Sequence, residues 1–201
     1  MIVYSIATKG TTEIKSDTLF VYDDFEFAVM SAVNHERVDN PKVILKIDAD
    51  VFSENPDTRE KYVESGKILE EIPITLTPEN AVLIAVESTL LVCPEPSFVS
   101  GAKRYISGED RSQLLVSMLY TIMHDKSEDE RQNKVWEDKI GIRPETPFIS
   151  IASLCSQAML NLVGHGDTEM AMKRAGWTIS MLLNKSPESK KAIIKIIKKY
   201  L

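Results

Sequence analysis

The chain predicts an α+β protein, with a mixed strand and helix region at the N-terminus followed by a C-terminal helical bundle. Three observations lead there. From Thr146 to Leu201, apolar residues recur at helical spacing in three segments separated by Gly164-His165-Gly166 and Ser186-Pro187-Glu188, which are helix-ending and helix-starting signals. The first 76 residues instead hold short β-branched runs bounded by Gly, Asn, Asp and Pro. Between these regions, Cys93-Pro94-Glu95-Pro96 places two prolines in a row of three residues, and proline removes a backbone donor and restricts the residue before it. The predicted organisation is therefore a mixed α/β region over 1–96, a linker over 97–107 and a helical bundle over 108–201. At 201 residues the two regions can share one compact unit.

Taken in order, Ile2–Ala7 reads as a strand ended by Lys9-Gly10, and Thr18–Tyr22 as a second strand pairing with it. Asp23-Asp24 starts a helix through Val33, which Asp39-Asn40-Pro41 terminates. Lys42–Ile47 is a strand, and Asp48-Ala49-Asp50 leads into a polar loop. A short charged helix is expected over Thr58–Glu64, ended by Gly66, and another strand over Lys67–Leu76. Thr77-Pro78-Glu79 is a helix start, with a capping hydroxyl, proline at the first helical position and early acid. Val82, Ile84 and Val86 also alternate as in a strand, but length and the cap favour helix through Val92. After Gly108, the stripe Leu114, Leu115, Met118, Leu119 and Ile122 marks a helix. Lys126–Lys139 is strongly charged, with Trp136 as its main apolar anchor. The segment after Pro147 is apolar nearly all round and belongs inside a bundle. Asp167 or Thr168 can cap the next helix, which is expected to turn Met170, Ala171, Ala175, Trp177, Thr178, Met181 and Leu182 inward and Lys173 and Arg174 outward. The last helix sets Ile193, Ile194, Ile196, Ile197, Tyr200 and Leu201 against five lysines.

Net charge is −6 and unevenly spread. Through Ile106 there are 10 basic and 18 acidic residues, whereas Met170–Leu201 holds eight basic residues and one acid, Glu188. Such polarity suits an anionic partner or head-to-tail self-association; lysines near a helix C-terminus also complement its dipole. Two cysteines in apolar settings, Cys93 and Cys155, fit buried thiols in a reducing compartment. The N-terminal stretch lacks the basic and long apolar regions of a signal peptide, and no window reaches a membrane span. A cytoplasmic location is expected.

The candidate chemistry is sparse. His124-Asp125 is a pair used in metal-dependent phosphohydrolases, but His35 and His165 are distant in sequence and a catalytic metal needs several ligands. Glu128, Asp129, Glu130, Glu137 and Asp138 are interleaved with Lys126, Arg131, Lys134 and Lys139, the pattern of a solvated helix. Asp48 and Asp50 follow a β-branched strand, a place where acids bind metals and also where strands simply end. Ser100-Gly101 and Ser107-Gly108 lack the context of a nucleophile elbow. Gly-rich phosphate loops are absent. No cofactor or metal is expected.

The expected function is that of a non-enzymatic assembly or adaptor protein that self-associates or binds a protein partner, a profile shared by structural and accessory proteins of viruses and phages. Its anionic-partner surface would be Lys173, Arg174, Lys190, Lys191, Lys195, Lys198 and Lys199. One alternative is a nucleic-acid-binding protein, using those cations on phosphates; thin aromatic interleaving and overall acidity weigh against it. An Ile- and Lys-rich helix could also rest on an anionic membrane surface. Another alternative is a small metal-dependent hydrolase or phosphotransfer enzyme with carboxylates dispersed along the chain.

Overall fold

The protein is described from a computed structural model, over residues 1–14, 19–35, 42–55, 60–93, 96–109, 148–185 and 187–201. It is α+β, and divides into two compact units, Met1–Thr75 and Leu76–Leu201. The expected helices at 114–122 and 126–139, with His124, Asp125 and Trp136, lie outside the described residues.

In the first unit, strands β1 (Ile2–Thr8), β2 (Lys42–Glu54) and β3 (Lys61–Pro73) form an antiparallel sheet in the order β1-β2-β3. Helix α1 (Phe25–His35) covers one face. Along β2, Val43, Leu45, Ile47 and Ala49 point into one core with Val3, Ala7 and Val63, while Ile44 points the other way, to Ala28, Val29 and Ala32 of α1. This is the period-two alternation of a pleated strand.

The β2–β3 ribbon is bulged. Asp50, Glu64 and Leu69 have no partner in the pairing register, and each extra residue changes which parity faces inward. Hence Phe52, three residues after Ala49, still joins the inner core. Likewise Ile68 faces that core while Ile72 faces α1. Bulges also increase bend and twist, and here the curled sheet is bridged by a short segment. Tyr22 exchanges backbone hydrogen bonds with Tyr4 of β1, both 2.9 Å; Val21 N–H donates to Lys61 O and Val63 N–H to Leu19 O, also 2.9 Å. The 19–22 segment thus joins both outer strands, with Leu19 and Val21 facing the inner core.

Three expectations change here. The helix expected over Thr58–Glu64 is instead strand from Lys61, because Val63 alternates inward between Tyr62 and Glu64. Asp48 and Asp50 sit within β2 rather than in a loop after it. The pairing of Thr18–Tyr22 with β1 reduces to the single bridge Tyr4–Tyr22, with a second bridge, Phe20–Tyr62, to β3.

The second unit is helical: α2 (Pro78–Leu90), α3 (Pro96–Ser107), α4 (Phe148–Leu160), a π-helical turn (Asn161–His165), α5 (Thr168–Lys185) and α6 (Pro187–Tyr200). Helix α2 starts as expected, with Thr77 Oγ1 accepting from Asn80 N–H at 3.2 Å and Pro78 in the first turn. Its buried Ala81, Val82, Ile84, Ala85, Val86, Ser88 and Thr89 occupy most of its circumference, so it requires helices around it. It packs on α3, α4, α5 and α6. It therefore belongs to the helical unit, and the division falls at Thr75 rather than after residue 96. The expected 97–107 linker is helix α3. Pro96 stands at the first position of that helix, where its missing N–H costs no hydrogen bond, and Phe98, Ala102 and Tyr105 bury its inner stripe.

Gly166 stops the π-helical turn, at φ 66° in the left-handed region, where glycine is at ease. Asp167 then caps α5, its Oδ1 accepting from Met170 N–H at 3.0 Å. Among the described residues no helix is long and apolar enough to cross a membrane.

Candidate interaction surfaces

The lysines of α6 are placed by its amphipathic spacing. Ile193 and Ile197 are fully buried, and α6 packs on α2 and α5. Lys191, Lys195, Lys198 and Lys199 fall on the opposite side of the helix and are exposed, because residues four and seven apart share a face. Lys190 lies toward the packed side and is half-buried.

The end of α6 is fastened to α2. Glu87, 18% exposed, accepts from Lys199 Nζ at 2.8 Å and from the Tyr200 hydroxyl. Lys199 Nζ also lies 3.1 Å from the Tyr200 oxygen, and Asn80 Nδ2 donates to Tyr200 O at 3.3 Å. Hydrogen bonding to Glu87, and then to Tyr200, holds the Lys199 ammonium above its ordinary pKa. Burial, followed by the bond to Glu87, raises the Tyr200 phenol, with Lys199 working against it.

The two cations of α5 have local partners. Lys173 pairs with Glu169 one turn back, and Arg174 Nη1 donates to Asn161 Oδ1 of the π-helical turn at 2.8 Å. Of the seven expected residues, Lys191, Lys195, Lys198 and Lys199 thus share one exposed face, Lys199 being paired with Glu87 as well, while Lys173 and Arg174 lie on α5 with partners beside them. Helix α5 also departs from expectation. Its buried stripe is Ala171, Ala175, Thr178, Ile179, Leu182 and Leu183, whereas Trp177 is 53% exposed and Met170 lies at the surface. Alanines at 171 and 175 place the packed line of the helix there, and Trp177, two residues beyond Ala175, falls about 200° round the helix from that line.

Among the described residues, the other candidates are not assembled into sites. Asp48 and Asp50 are exposed on β2, with Asp48 Oδ1 accepting from the Met1 amino group at 3.0 Å. Ser107 Oγ donates to Arg104 O at 2.9 Å and to Glu109 at 3.2 Å, as helix-end hydroxyls do. Cys93 and Cys155 are buried free thiols. Burial pushes the Cys155 thiol up to about 12, with Thr89 acting against this and Cys93 adding to it. Among the described residues no three His, Cys, Asp or Glu side chains are grouped to hold a metal. A cleft of about 490 Å³ in the first unit is walled partly by Thr11, Thr12, Glu13 and Lys42; its Glu and Lys oppose one another in sign.

One surface was hidden from sequence reasoning. Phe20 and Tyr62 meet across the bridge between the 19–22 segment and β3, with ring centroids 4.6 Å apart and planes tilted by 41°. Phe20 is 42% exposed, and the Tyr62 hydroxyl donates to Glu60 Oε2 at 3.2 Å. Alongside, Tyr22 contacts Phe27 edge-on; burial raises its phenol above the ordinary value, the Ser31 hydrogen bond opposing and Glu60 adding. The signal that could have revealed the pair is Tyr62-Val63-Glu64, a single period-two step before the bulge. No family model, no curated protein and no solved structure matches this chain.

Proposed function

We propose that this is an assembly protein that associates head to tail, the lysine face of α6 in one copy meeting the acidic first unit of the next. The observation that carries this reading is the segregation of charge. Met1–Thr75 holds 15 acidic and 8 basic residues, a net of −7, while Met170–Leu201 holds eight basic and one acidic, a net of +7. The two stretches lie in different compact units. Opposed patches on one chain complement each other between copies, and where that contact runs head to tail it builds rings or filaments. Exposed Trp177 and Met170 on α5 add apolar surface of the kind that anchors interfaces.

The test is solution mass by light scattering over a range of protein and salt concentrations. A defined oligomer at micromolar concentration is expected. It should persist in moderate salt, weaken as salt rises further, and be lost on Lys191→Glu with Lys195→Glu. A strict monomer at every concentration refutes the reading. If the chain is monomeric and the same two changes abolish salt-sensitive binding to an RNA or DNA homopolymer, the lysine face serves phosphates instead.

A further inference from the structure

Resting on the head-to-tail reading, we infer that the Phe20–Tyr62 pair, with the Glu60 carboxylate beside it, is the receptor for lysine ammonium groups from α6 of a second copy. Phe20, 42% exposed and leaning against Tyr62, offers an outer π-face to solvent, and ammonium groups are drawn to such faces within about 6 Å. Here the rings are held in register by main-chain hydrogen bonds on either side, Val21 to Lys61 and Val63 to Leu19, so the platform does not have to be ordered on binding. Glu60 is tied to the platform through the Tyr62 hydroxyl and supplies the formal charge that an ammonium also needs.

The surrounding charge selects the occupant. Asp23, Glu60 and Glu64 are exposed near these residues in the chain, against one exposed base, Lys61, so acidic charge outweighs basic around the rings. That excess repels a nucleic-acid backbone, although stacked aromatics would otherwise suit bases. It favours a cationic segment. The chain carries one: Lys191 and Lys195 are exposed one helical turn apart on α6, about 6 Å along the axis.

The test uses the full chain with the photoreactive residue p-benzoylphenylalanine in place of Phe20, prepared in light and heavy isotopic forms and mixed before irradiation. Mixed-isotope crosslinks from position 20 to α6 are expected. Crosslinks confined to one chain, or reaching other parts of the second copy while the oligomer persists, overturn the inference and leave head-to-tail assembly standing. A monomer overturns both. Charge reversal gives an independent readout. Glu60→Lys should weaken association about tenfold, and Glu60→Lys combined with Lys191→Glu and Lys195→Glu should restore most of it. Phe20→Ser should weaken association by a similar factor without changing the circular dichroism spectrum, since Phe20 is a surface residue. Failure of the combined charge reversal to restore association, in variants that remain folded, refutes the pairing.

Discussion

Cys155 shows how far burial alone can govern one side chain. Its thiol sits on α4 with no exposed surface, and a pKa of about 12 leaves only about one molecule in ten thousand as thiolate at pH 8. The thiolate is the reactive form, so the native protein should be inert to a disulfide reagent such as dithionitrobenzoate at that pH. Both cysteines should react within minutes once urea unfolds the chain. Rapid labelling of Cys155 in the folded state would contradict the packing described. Thiol burial was readable from the apolar run around Cys155. The exposure of Trp177 was not, because helical periodicity shows which residues share a face and leaves open which arc finds a neighbour.

The element scale is where sequence and structure part most visibly. Helices α2, α5 and α6 announce themselves through Thr77-Pro78, Asp167 and Ser186-Pro187, since caps and helix starts are local chemistry. Strand β3 does not, because extra residues at Glu64 and Leu69 break the alternation by which a strand is recognised, and Tyr62 and Val63 lie in the short stretch before the first of them. The Phe20–Tyr62 platform depends on that strand, and so it was hidden as well. Gly66 is the most demanding position in the ribbon. A methyl group there would stand 2.5 Å from Asp48 O and 2.8 Å from Ala49 Cα, both main-chain atoms of the paired strand. Gly66→Ala should therefore push β2 and β3 apart and lower unfolding free energy by about 1–3 kcal/mol, read from urea denaturation. An unchanged midpoint would argue against this close approach.

The junction of α6 with α2 is a second element-scale feature with a measurable consequence. Tyr200 and Lys199 both have folded pKa values raised above their ordinary ones, so the folded chain holds these protons more tightly than the unfolded chain does. Their contribution is complete below the unfolded pKa values, about 10, and is lost as pH climbs through the folded ones. Thermal stability should decline from about pH 10 upward, and the decline should be shallower in Tyr200→Phe. Tyr22 titrates in the same direction, so the difference between the two proteins, rather than the decline itself, reports on Tyr200. Identical pH profiles would remove Tyr200 from the account.

Across the whole molecule, the α+β class was legible, because strand-like and helix-like runs segregate along the chain. The division between units was not. Two prolines near residue 95 looked like a boundary, yet one of them begins α3, and the true division is set by the burial that α2 demands. The proposed interaction surfaces left no motif, since a charged face and an aromatic pair are built from residues that are unremarkable in sequence. Charge separation between the units is the exception, visible in the residue counts before any fold is known. Its expected signature is the salt-dependent solution mass set out above, lost when Lys191 and Lys195 are reversed.

The 19–22 segment has a consequence for how copies can safely meet. By pairing with Tyr4 on one side and with Lys61 and Val63 on the other, it occupies main-chain groups on the outer edges of both β1 and β3. Further along β3, Glu64, Lys67, Glu70 and Glu71 are exposed, and charged edges discourage foreign strands. Crowded copies are thus steered away from continuous β-templating, the route toward irreversible fibres. In the proposed assembly, contact is left to side chains, whose bonds to one another can be broken by dilution.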